Sequence, residues 1–422
     1  MIVLINFNSY LGGGETLFVR LADFFRQQKI KCHLFYKENS FIEKDLRRRC
    51  ITENSHSINL STDYYYLSSK ERKELRSAIL NNLEENHKYE IFSFCARDLY
   101  LTIDLTKQKK YQLKLVHLIL HEQDNLYCCQ TITNKLKQKF GMKRSFSSKK
   151  MTKFNTRLFN EVNEKGVLIP MNEVIVKLWE NFFSIHLKKD NVIPLPTCSF
   201  DNYNFKPINN KKILWIGRLI DFKIPSICAI LNFLKVRPDY KLSIAGYGAE
   251  KFINNYIDKN AINKSQIQFL GKIEYDKLEE IVKGHAIGYA MGTSIIEMAQ
   301  YGIPVIMAMA SPSLKLFDKD ICGGLYINKY LGNVGTDLYL SEDLSPYPTI
   351  ESTISSIESR YEESAKECYE YIRKIFDFEI NAKAYLKMAE SKGEYTEFKI
   401  TIPFANILRK MAFCIYNQKY ND

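Results

Sequence analysis

Residues 212–223 read KILWIGRLIDFK, an apolar run followed by a glycine and two cations. The run 213–216 predicts a strand, and Gly217 allows the backbone to turn sharply where that strand ends. Open α/β sheets bind ligands at the carboxyl ends of their strands, so Arg218 and Lys223 could converge on one anion there. A diphosphate suits this pair, because Arg offers a planar fork of donors and Lys a point charge. A solvated Arg and Lys that merely follow a strand are the alternative.

Residues 288–306, GYAMGTSIIEMAQYGIPVI, contain a second candidate phosphate site. Gly292, Thr293 and Ser294 stand where a loop is expected to become a helix, and Ser or Thr is a common N-cap. The backbone N–H groups at such a helix start could face a phosphate. Glu297, expected in the first turn, could accept two hydrogen bonds from the hydroxyls of a ribose. The alternative is a Glu that only complements the helix dipole.

Residues 11–15, LGGGE, form a glycine run between the first predicted strand and the first predicted helix. Three glycines permit the close approach of a ligand, or a nest of N–H groups around an anion. The spacing is not G-x-G-x-x-G, so a dinucleotide site is weakly supported. A flexible turn is the alternative.

Apolar runs alternate with helical stretches along the chain, which favours parallel α/β sheets with crossover connections. Strands are predicted at 2–7, 31–36, 89–94, 114–120, 166–169 and 213–216, and then at KLSIAG, IQFLG, AIGYA and IPVIMA. A stretch with two prolines, residues 192–205, interrupts the alternation and indicates two domains. The predicted divisions are a Rossmann-like domain at 1–195, a linker at 196–210, a second Rossmann-like domain at 211–370, and C-terminal helices at 371–422 that cross back to the first domain.

The composition is that of a folded, basic protein. Of its 422 residues, 60 are Lys or Arg and 48 are Asp or Glu, so the formal net charge is +12. This charge favours acidic partners such as nucleotides, nucleic acid or anionic lipid. The ten cysteines include no C-x-x-C pair, which argues against a zinc ribbon or a redox pair and fits a reducing cytoplasm. We find no basic leader and no apolar run of about 18 residues, so neither a signal peptide nor a spanning helix is expected.

The sequence gives little support for a metal ion. Residues 318–320, DKD, are formally a D-x-D, but surface carboxylates explain them better at that place in the chain. None of the seven histidines belongs to an H-E-x-x-H motif. We therefore expect no metal.

In this order, the motifs resemble those of the retaining glycosyltransferases with the GT-B fold, in particular the large family 4 group that builds bacterial surface polysaccharides. In the second half the resemblance consists of G-R-L-x-x-x-K at 217–223, A-G-Y-G at 245–248, F-L-G at 269–271 and I-I-E-M-A-x-x-G-I-P-V-I at 295–306. In the first half it consists of G-G-G-E at 12–15, V-H-L-I-L-H at 116–121 and V-I-P-L-P at 192–196. The resemblance implies an α/β fold of two Rossmann-like domains that face each other across a cleft, the first on the acceptor side and the second binding the nucleotide sugar.

The resemblance implies a role for each matched residue. Arg218 and Lys223 would be catalytic and hold the diphosphate of a nucleotide sugar in place of a metal, and His121 would lie near the transferred sugar. The substrate-binding residues would be Gly217, Gly292, Thr293 and Ser294 at the phosphates, Glu297 at the ribose, Lys272 and Ile273 at the base, and Gly13, Gly14 and Glu15 at the phosphate or acceptor. Eight residues before Glu297, where the family often has another Glu, this chain has Tyr289. Recognition of the sugar hydroxyls therefore departs from the family pattern.

The activity implied is that of a hexosyltransferase. It would move a sugar from a UDP- or GDP-sugar, with UDP favoured, to a glycan or lipid-linked acceptor in capsule or lipopolysaccharide synthesis, with retention and without a metal or other cofactor. Two alternatives with the same fold stay open: a sugar-nucleotide epimerase, and a non-catalytic assembly subunit, which Tyr289 would favour. A nucleic-acid-binding protein is the weakest alternative, since the sequence has no recognised RNA- or DNA-binding module.

Residues 125–160 carry nine Lys or Arg and no Asp or Glu. The cations are Lys135, Lys137, Lys139, Lys143, Arg144, Lys149, Lys150, Lys153 and Arg157, and they are interleaved with Phe140, Met142, Phe146, Met151 and Phe154. Each cation near an anionic leaflet contributes on the order of 1 kcal/mol, and the apolar side chains could insert at the interface. Residues 135–157 therefore predict docking at the inner face of the cell membrane, with a solvated surface or nucleic-acid binding as alternatives.

Overall fold

The computed structural model describes residues 1–9, 12–121, 124–126, 149–197, 210–274, 277–311, 320–327, 330–340 and 343–405. The chain divides into two compact units. The first comprises Met1–Met171, Ile175–Ile193 and Ala382–Asp422, and the second comprises Asn172–Val174 and Pro194–Asn381. Much of the predicted linker and of the basic segment lies outside the described residues, and so do residues 406–422.

Six parallel strands form the sheet of the first unit. They are β1 (Ile2–Asn6), β2 (Cys32–Lys37), β3 (Ser55–Ile58), β4 (Lys88–Ser93), β5 (Gln112–Ile119) and β6 (Val167–Pro170), in the order β3-β2-β1-β4-β5-β6. Every residue of β1 is buried, as expected where helices cover both faces of a parallel sheet. Strand β3 was not among the predicted strands, because its sequence SHSI is short and polar.

Helices alternate with these strands. They are α1 (Gly13–Gln27), α2 (Phe41–Arg48), α3 (Ser69–Leu80), α4 (Ala96–Thr106), α5 (Lys149–Lys165) and α6 (Glu173–Phe183). The buried side chains of α1 include Leu17, Leu21 and Phe25, whose spacing places them on one face of a helix.

The second unit contains a five-stranded parallel sheet. Its strands are β7 (Lys212–Ile216), β8 (Lys241–Ala245), β9 (Ile267–Gly271), β10 (Ile287–Ala290) and β11 (Val305–Met307), in the order β11-β10-β7-β8-β9. The helices are α7 (Ile224–Val236), α8 (Glu250–Lys259), α9 (Leu278–Lys283), α10 (Thr293–Ala299), α11 (Ile350–Ser359), α12 (Tyr361–Phe376) and α13 (Phe378–Ser391), which contains the boundary at Asn381. Because β7 lies in the middle of the sheet, its carboxyl end is flanked by the ends of β8 and β10.

The end of the second unit differs from the predicted boundary at residue 370, which falls inside α12. Cys368, Ile372 and Phe376 are all buried, and the Cys368 thiol lies 3.8 Å from the Val305 carbonyl oxygen. The whole of α12 therefore packs in the second unit. Its charged exposed face made the helix resemble part of a separate C-terminal segment in the sequence.

After α13, residues 392–405 form no helix, although helices were predicted for 371–422. Within the first unit, the Arg72 guanidinium is 2% exposed and donates to the carbonyl oxygens of Ile402 at 3.1 Å and Pro403 at 2.8 Å. The Phe398 N–H donates to the Thr106 hydroxyl at 3.4 Å. These contacts satisfy some of the segment's backbone groups without helical hydrogen bonds.

Helix α5 contains the described part of the basic segment. Its exposed cations are Lys149, Lys150, Lys153 and Arg157. Met151 is only 5% exposed, and Phe154 packs edge-on against Tyr100 with ring centroids 5.9 Å apart. The prediction that Met151 and Phe154 insert into a membrane is therefore wrong, because helical periodicity turns both into the first unit. Among the described helices, none is long and apolar enough to cross a bilayer.

Candidate functional site

The carboxyl end of β7 turns at Gly217. Its φ is +152°, its N–H donates to the Ala245 carbonyl oxygen at 2.9 Å, and its own carbonyl oxygen accepts from the Trp215 indole at 3.3 Å. A Cβ at this position would lie 3.0 Å from the Nζ of Lys223. The Lys223 ammonium therefore lies directly over the turn.

The end of β8 packs against that turn through two glycines. A Cβ at Gly246 would come within 2.0 Å of the Gly217 carbonyl oxygen, and a Cβ at Gly248, where φ is +135°, within 2.5 Å of the Leu219 carbonyl oxygen. Between these glycines, the Tyr247 carbonyl oxygen accepts the Leu219 N–H at 2.8 Å. Glycine is needed at both positions because another backbone occupies the space of a side chain.

Three charged residues meet at this edge of the sheet. Arg218 is exposed, whereas Lys223 and Glu297 are half-buried. Burial and, to a smaller extent, the nearby Arg218 guanidinium lower the pKa of Lys223 to about 8, although the Glu297 carboxylate acts in the opposite direction. Since Lys223 interacts with both partners, the structure brings Arg218, Lys223 and Glu297 into one electrostatic cluster, with two cations and one anion.

The helix expected after β10 is α10, and it begins differently from the prediction. Its N-cap is Gly292, with φ +73° and no side-chain cap, so the expectation of a Ser or Thr cap is wrong. Thr293 and Ser294 are instead the first two helical residues, and Glu297 lies in the second turn rather than the first. The reason is that the Gly292 N–H donates to the Val334 carbonyl oxygen at 2.9 Å, which fixes a left-handed backbone that glycine adopts most readily.

Tyr289 belongs to the core of the second unit. It is fully buried, its hydroxyl donates to the Ser226 carbonyl oxygen at 3.1 Å, and its ring centroid lies 5.7 Å from that of Trp215. Burial raises its pKa well above the usual value. The position where the family often has a sugar-binding Glu is thus filled by a packing residue in this chain.

Lys272 and Ile273 follow β9, beside the end of β8. Gly271 has φ +66°, and its carbonyl oxygen accepts the Gly246 N–H at 2.8 Å. Lys272 is exposed, with its ammonium 3.9 Å from the Glu274 carboxylate, and Ile273 is half-buried. The two residues lie at the same carboxyl edge as the charged cluster, and the end of β8 separates these two residues from the cluster.

In the first unit, the glycine run is not the nest of N–H groups that was considered. Gly12 is extended, with φ −156°, Gly13 and Gly14 begin α1, and none of the three has a positive φ. The Glu15 carboxylate is 6% exposed and accepts from the Asn8 amide at 2.8 Å and the Asn6 amide at 3.5 Å. Glu15 therefore ties the end of β1 to the start of α1.

His121 lies exposed two residues beyond the end of β5, and its carbonyl oxygen accepts the Asp124 N–H at 3.2 Å. Close to His121 in the sequence is a network of hydrogen-bonded side chains that was not predicted. The fully buried imidazole of His117 contacts the Ser93 hydroxyl at 2.9 Å and the Asp124 carboxylate at 2.8 Å, and that carboxylate accepts the Ala96 N–H at 2.8 Å. The available signal was a second histidine, His117, inside an apolar strand.

Asp98 is a second missed group at the same edge. It is fully buried and accepts from the Phe7 N–H at 3.2 Å and the Cys95 thiol at 3.1 Å. Burial raises its pKa to about 6, and the Arg97 guanidinium opposes the shift. In both missed groups, a buried side chain holds the backbone that follows a strand.

In the described part of the chain, no group of three His, Cys, Asp or Glu side chains has the arrangement of a metal site. The D-x-D at 318–320 lies outside the described residues except for Asp320.

No protein-family model matches this chain, and no curated protein matches it in sequence. Solved structures match it in fold. Anabaena HepE (Alr3699) in complex with UDP aligns with a TM-score of 0.61 at 13% identity, over 93% of this chain and 100% of that chain. The apo form of WaaB, a lipopolysaccharide outer core galactosyltransferase, aligns with a TM-score of 0.57 at 12% identity, over 92% and 98%. A Listeria monocytogenes protein named as a candidate UDP-N-acetylglucosamine 2-epimerase aligns with a TM-score of 0.52 at 11% identity, over 95% and 99%.

These likenesses and the two parallel sheets define the class: the chain has the two-domain α/β fold of the GT-B glycosyltransferases.

Proposed function

We propose that this chain is a glycosyltransferase whose donor is a nucleotide diphosphate sugar. The observation that carries the proposal is the cluster of Arg218, Lys223 and Glu297 at the carboxyl edge of the second sheet. Two adjacent cations match the charge of a diphosphate, and the carboxyl edge is where open α/β sheets bind ligands. The match to HepE, whose structures hold UDP or UDP-glucose, supports UDP as the nucleotide.

The chemistry follows from the charge that develops as the sugar leaves. When the bond between sugar and diphosphate breaks, negative charge grows on the departing nucleotide, and Arg218 and Lys223 would stabilise it without a metal. The first backbone N–H groups of α10, at Thr293 and Ser294, would add to this field. Among the residues that the structure describes, nothing lies within 4 Å of a Cβ built on Gly292, so a phosphate has room to approach the backbone there.

The other assignments follow the family resemblance. Glu297 would accept hydrogen bonds from the ribose, Lys272 and Ile273 would face the base, and Gly217 would lie beside the diphosphate. His121, exposed beyond β5, is proposed to contact the transferred sugar.

On the acceptor side, the contacts of Glu15 change one assignment. Because its carboxylate already holds Asn6 and Asn8, we assign Glu15 to positioning the turn at Gly13 and Gly14 rather than to touching substrate. The complete proposal is transfer with retention of configuration to a glycan or lipid-linked acceptor in bacterial surface polysaccharide synthesis. The likeness to WaaB, which acts in the lipopolysaccharide outer core, supports that direction.

Nucleotide binding tests the proposal directly. We expect one of UDP, GDP, ADP and CMP, at about 100 times its Kd, to add roughly 2.7 kcal/mol of stability, which raises the unfolding temperature by several degrees. Arg218→Ala should abolish the shift. Arg373→Ala is the matched control, since it removes the same charge from an exposed position on α12. Absence of any shift in the wild-type protein would reject the proposal.

Turnover separates the transferase from its alternatives. With the donor that binds and an acceptor glycan, we expect nucleotide release coupled to a new glycosidic bond, and a loss of at least 100-fold in kcat/KM for Arg218→Ala. The match to the Listeria candidate epimerase makes an epimerase the second candidate, and it would isomerise the sugar nucleotide without any acceptor. Proton NMR of the donor distinguishes the two outcomes, and binding without either reaction would indicate a non-catalytic subunit.

The lowered pKa of Lys223 predicts a pH dependence. Only the charged ammonium attracts a diphosphate, so the affinity for UDP should fall as the pH rises through about 8, by up to tenfold per pH unit. Lys223→Arg, which stays charged over the whole range, should flatten the profile. Titration calorimetry between pH 6.5 and 9.5 measures both, and a wild-type profile as flat as that of the variant would contradict the assignment.

We also propose that the exposed cations of α5 dock the protein on an anionic surface that carries its acceptor. Lys149, Lys150, Lys153 and Arg157 are the described members of the basic segment. Replacement of all four by Ser should reduce retention on vesicles that contain anionic phospholipid at low salt, whereas neutral vesicles should retain neither protein. Equal retention of wild type and variant would contradict the role of α5.

A further inference from the structure

An aromatic side chain lies exposed beside the proposed diphosphate residues. Tyr247 follows β8 in the sequence AGYG, residues 245–248, and 50% of its surface is exposed. Among the residues described by the structure, none forms a hydrogen bond or ring contact with the Tyr247 side chain; only its backbone is engaged. A single exposed aromatic is common on protein surfaces, but Tyr247 is distinguished by its position beside the cations that follow β7.

The backbone of Tyr247 is fixed on both sides. Towards β7, its carbonyl oxygen accepts the Leu219 N–H at 2.8 Å, and the missing side chains of Gly246 and Gly248 allow the two loops to touch. Towards β9, the Gly246 N–H donates to the Gly271 carbonyl oxygen at 2.8 Å. The backbone that carries the Tyr247 side chain is therefore held in place before any ligand arrives.

The order of the strands places Tyr247 between two parts of the proposed ligand. Strand β8 lies between β7, which is followed by Arg218, and β9, which is followed by Lys272 and Ile273. Neighbouring strands are about 4.8 Å apart. A nucleotide with its diphosphate on the cations after β7 and its base towards the loop after β9 must therefore pass over the end of β8, where Tyr247 stands.

We propose that Tyr247 stacks on the nucleobase of the donor, so that the site selects a nucleoside diphosphate over a diphosphate that lacks a base. This inference rests on the proposed function, because it requires the diphosphate on Arg218 and Lys223. Stacking between a base and an aromatic side chain is insensitive to the identity of the base. Tyr247 therefore contributes affinity for the nucleoside, and the choice among bases is left to the edge contacts of the loop after β9.

The test compares two ligands that share the diphosphate. UDP and inorganic pyrophosphate are titrated calorimetrically into wild type, Tyr247→Ala, Tyr247→Leu, Tyr247→Phe and Arg218→Ala. We expect Tyr247→Ala to weaken UDP binding by about tenfold or more and to leave pyrophosphate binding within a factor of two. Tyr247→Phe should bind UDP like wild type. Tyr247→Leu, which keeps apolar area without a ring, should bind UDP almost as weakly as Tyr247→Ala. Arg218→Ala should weaken both ligands.

Each other outcome has a definite meaning. Unchanged UDP affinity in Tyr247→Ala, with both ligands lost in Arg218→Ala, would overturn the stacking role and leave the proposed function intact. Failure of the wild-type protein to bind either ligand would overturn the proposed function together with this inference. Equal weakening of both ligands by Tyr247→Ala would overturn the stacking role, because it would mean that the loop itself had moved; the unfolding temperature of each variant checks the same point.

Discussion

The two units hold the carboxyl edges of their sheets by different means. In the second unit, single glycines allow backbone to pack on backbone, most tightly where a Cβ at Gly246 would lie 2.0 Å from the Gly217 carbonyl oxygen. In the first unit, the glycines at residues 12–14 have no positive φ. There, buried polar side chains such as Asp98 and Asp124 hold the loops instead.

A glycine run is therefore a poor guide to the positions where the fold requires glycine. Among the described residues, a Cβ at Gly13 would meet nothing within 4 Å, and one at Gly12 would meet only the Glu15 carboxylate, at 2.6 Å. The positions where a Cβ would clash are instead the isolated glycines on either side of Tyr247, Gly246 and Gly248. The run is conspicuous in the sequence, whereas the crowding exists only after two strands are paired.

The largest effect is expected at Gly246. Gly246→Ala drives a methyl group into the Gly217 carbonyl oxygen, so the ends of β7 and β8 must separate. We expect a loss of about 3 kcal/mol in the free energy of unfolding, together with loss of UDP binding. Urea denaturation and calorimetry measure the two effects. A variant as stable as wild type would show that close backbone packing at Gly246 does not hold the carboxyl edge of the second sheet.

A smaller loss is expected from the side-chain network of the first unit. Asp124→Ala leaves both the buried His117 imidazole and the Ala96 N–H without their carboxylate partner. Unpartnered buried groups of this kind cost about 2 kcal/mol. Ser93→Ala, which removes one partner of the same imidazole, should cost about 1 kcal/mol. Denaturation that ranks the two variants in the opposite order would show that the network is not centred on Asp124.

The polar core of the first unit also predicts opposed pH effects. Burial, followed by the nearby His56, lowers the pKa of His33 from 6.5 to about 4, so the stability that His33 contributes is present above pH 6.5 and lost as the pH falls. Burial raises the pKa of Asp98 from 3.8 to about 6, so its contribution is present below pH 3.8 and lost as the pH rises through 6.

Between pH 4 and 6 these two contributions oppose each other. His33→Phe should make the free energy of unfolding increase on acidification relative to wild type, and Asp98→Asn should make it decrease. Neither change in slope should exceed about 1.4 kcal/mol per pH unit. Urea midpoints at half-unit intervals measure the slopes, and slopes of the same sign in both variants would contradict these assignments.

The smallest effect is expected at Gly13. It is the first residue of α1, and no described residue lies within 4 Å of a Cβ built on it. Because Ala suits a helix better than Gly, Gly13→Ala should stabilise the protein by about 0.5 kcal/mol. If turnover nevertheless falls, the added methyl group must obstruct a ligand that approaches Gly13. Stability and kcat/KM measured on the same preparation separate the two effects, and a destabilised variant would place a hidden contact at this turn.

Much of the fold could be predicted from the sequence. Runs such as IVLIN in β1 and KILWI in β7 are apolar, short and followed by turn residues, which is the pattern of a strand buried on both faces. The cations after β7 were also predictable, because a strand end followed by Arg218 and Lys223 needs no tertiary information. β3 was missed, because its polar sequence carries no such pattern.

The site was predictable only as residue types at strand ends. Tyr289 could be aligned with a family Glu but not recognised as a core residue, since that depends on Ser226 and Trp215 being brought to it. The sequence suggested Glu15 as a ligand-binding carboxylate, whereas in the structure its carboxylate accepts hydrogen bonds from Asn6 and Asn8. Hydrogen-bond partners from distant parts of the chain leave no local pattern in a sequence.

The two α/β units, their apolar strands and the cations that follow β7 can therefore be predicted from the sequence, because hydrophobic burial and turn chemistry are local properties. Only the tertiary structure decided which glycines are indispensable, which carboxylates are already engaged, and which aromatic, Tyr247, stays exposed beside the cations. Those properties depend on the register of paired strands and on the side chains that a neighbouring strand supplies. The carboxyl edge of the second sheet acquires its chemistry in this way, as β7, β8 and β10 come together.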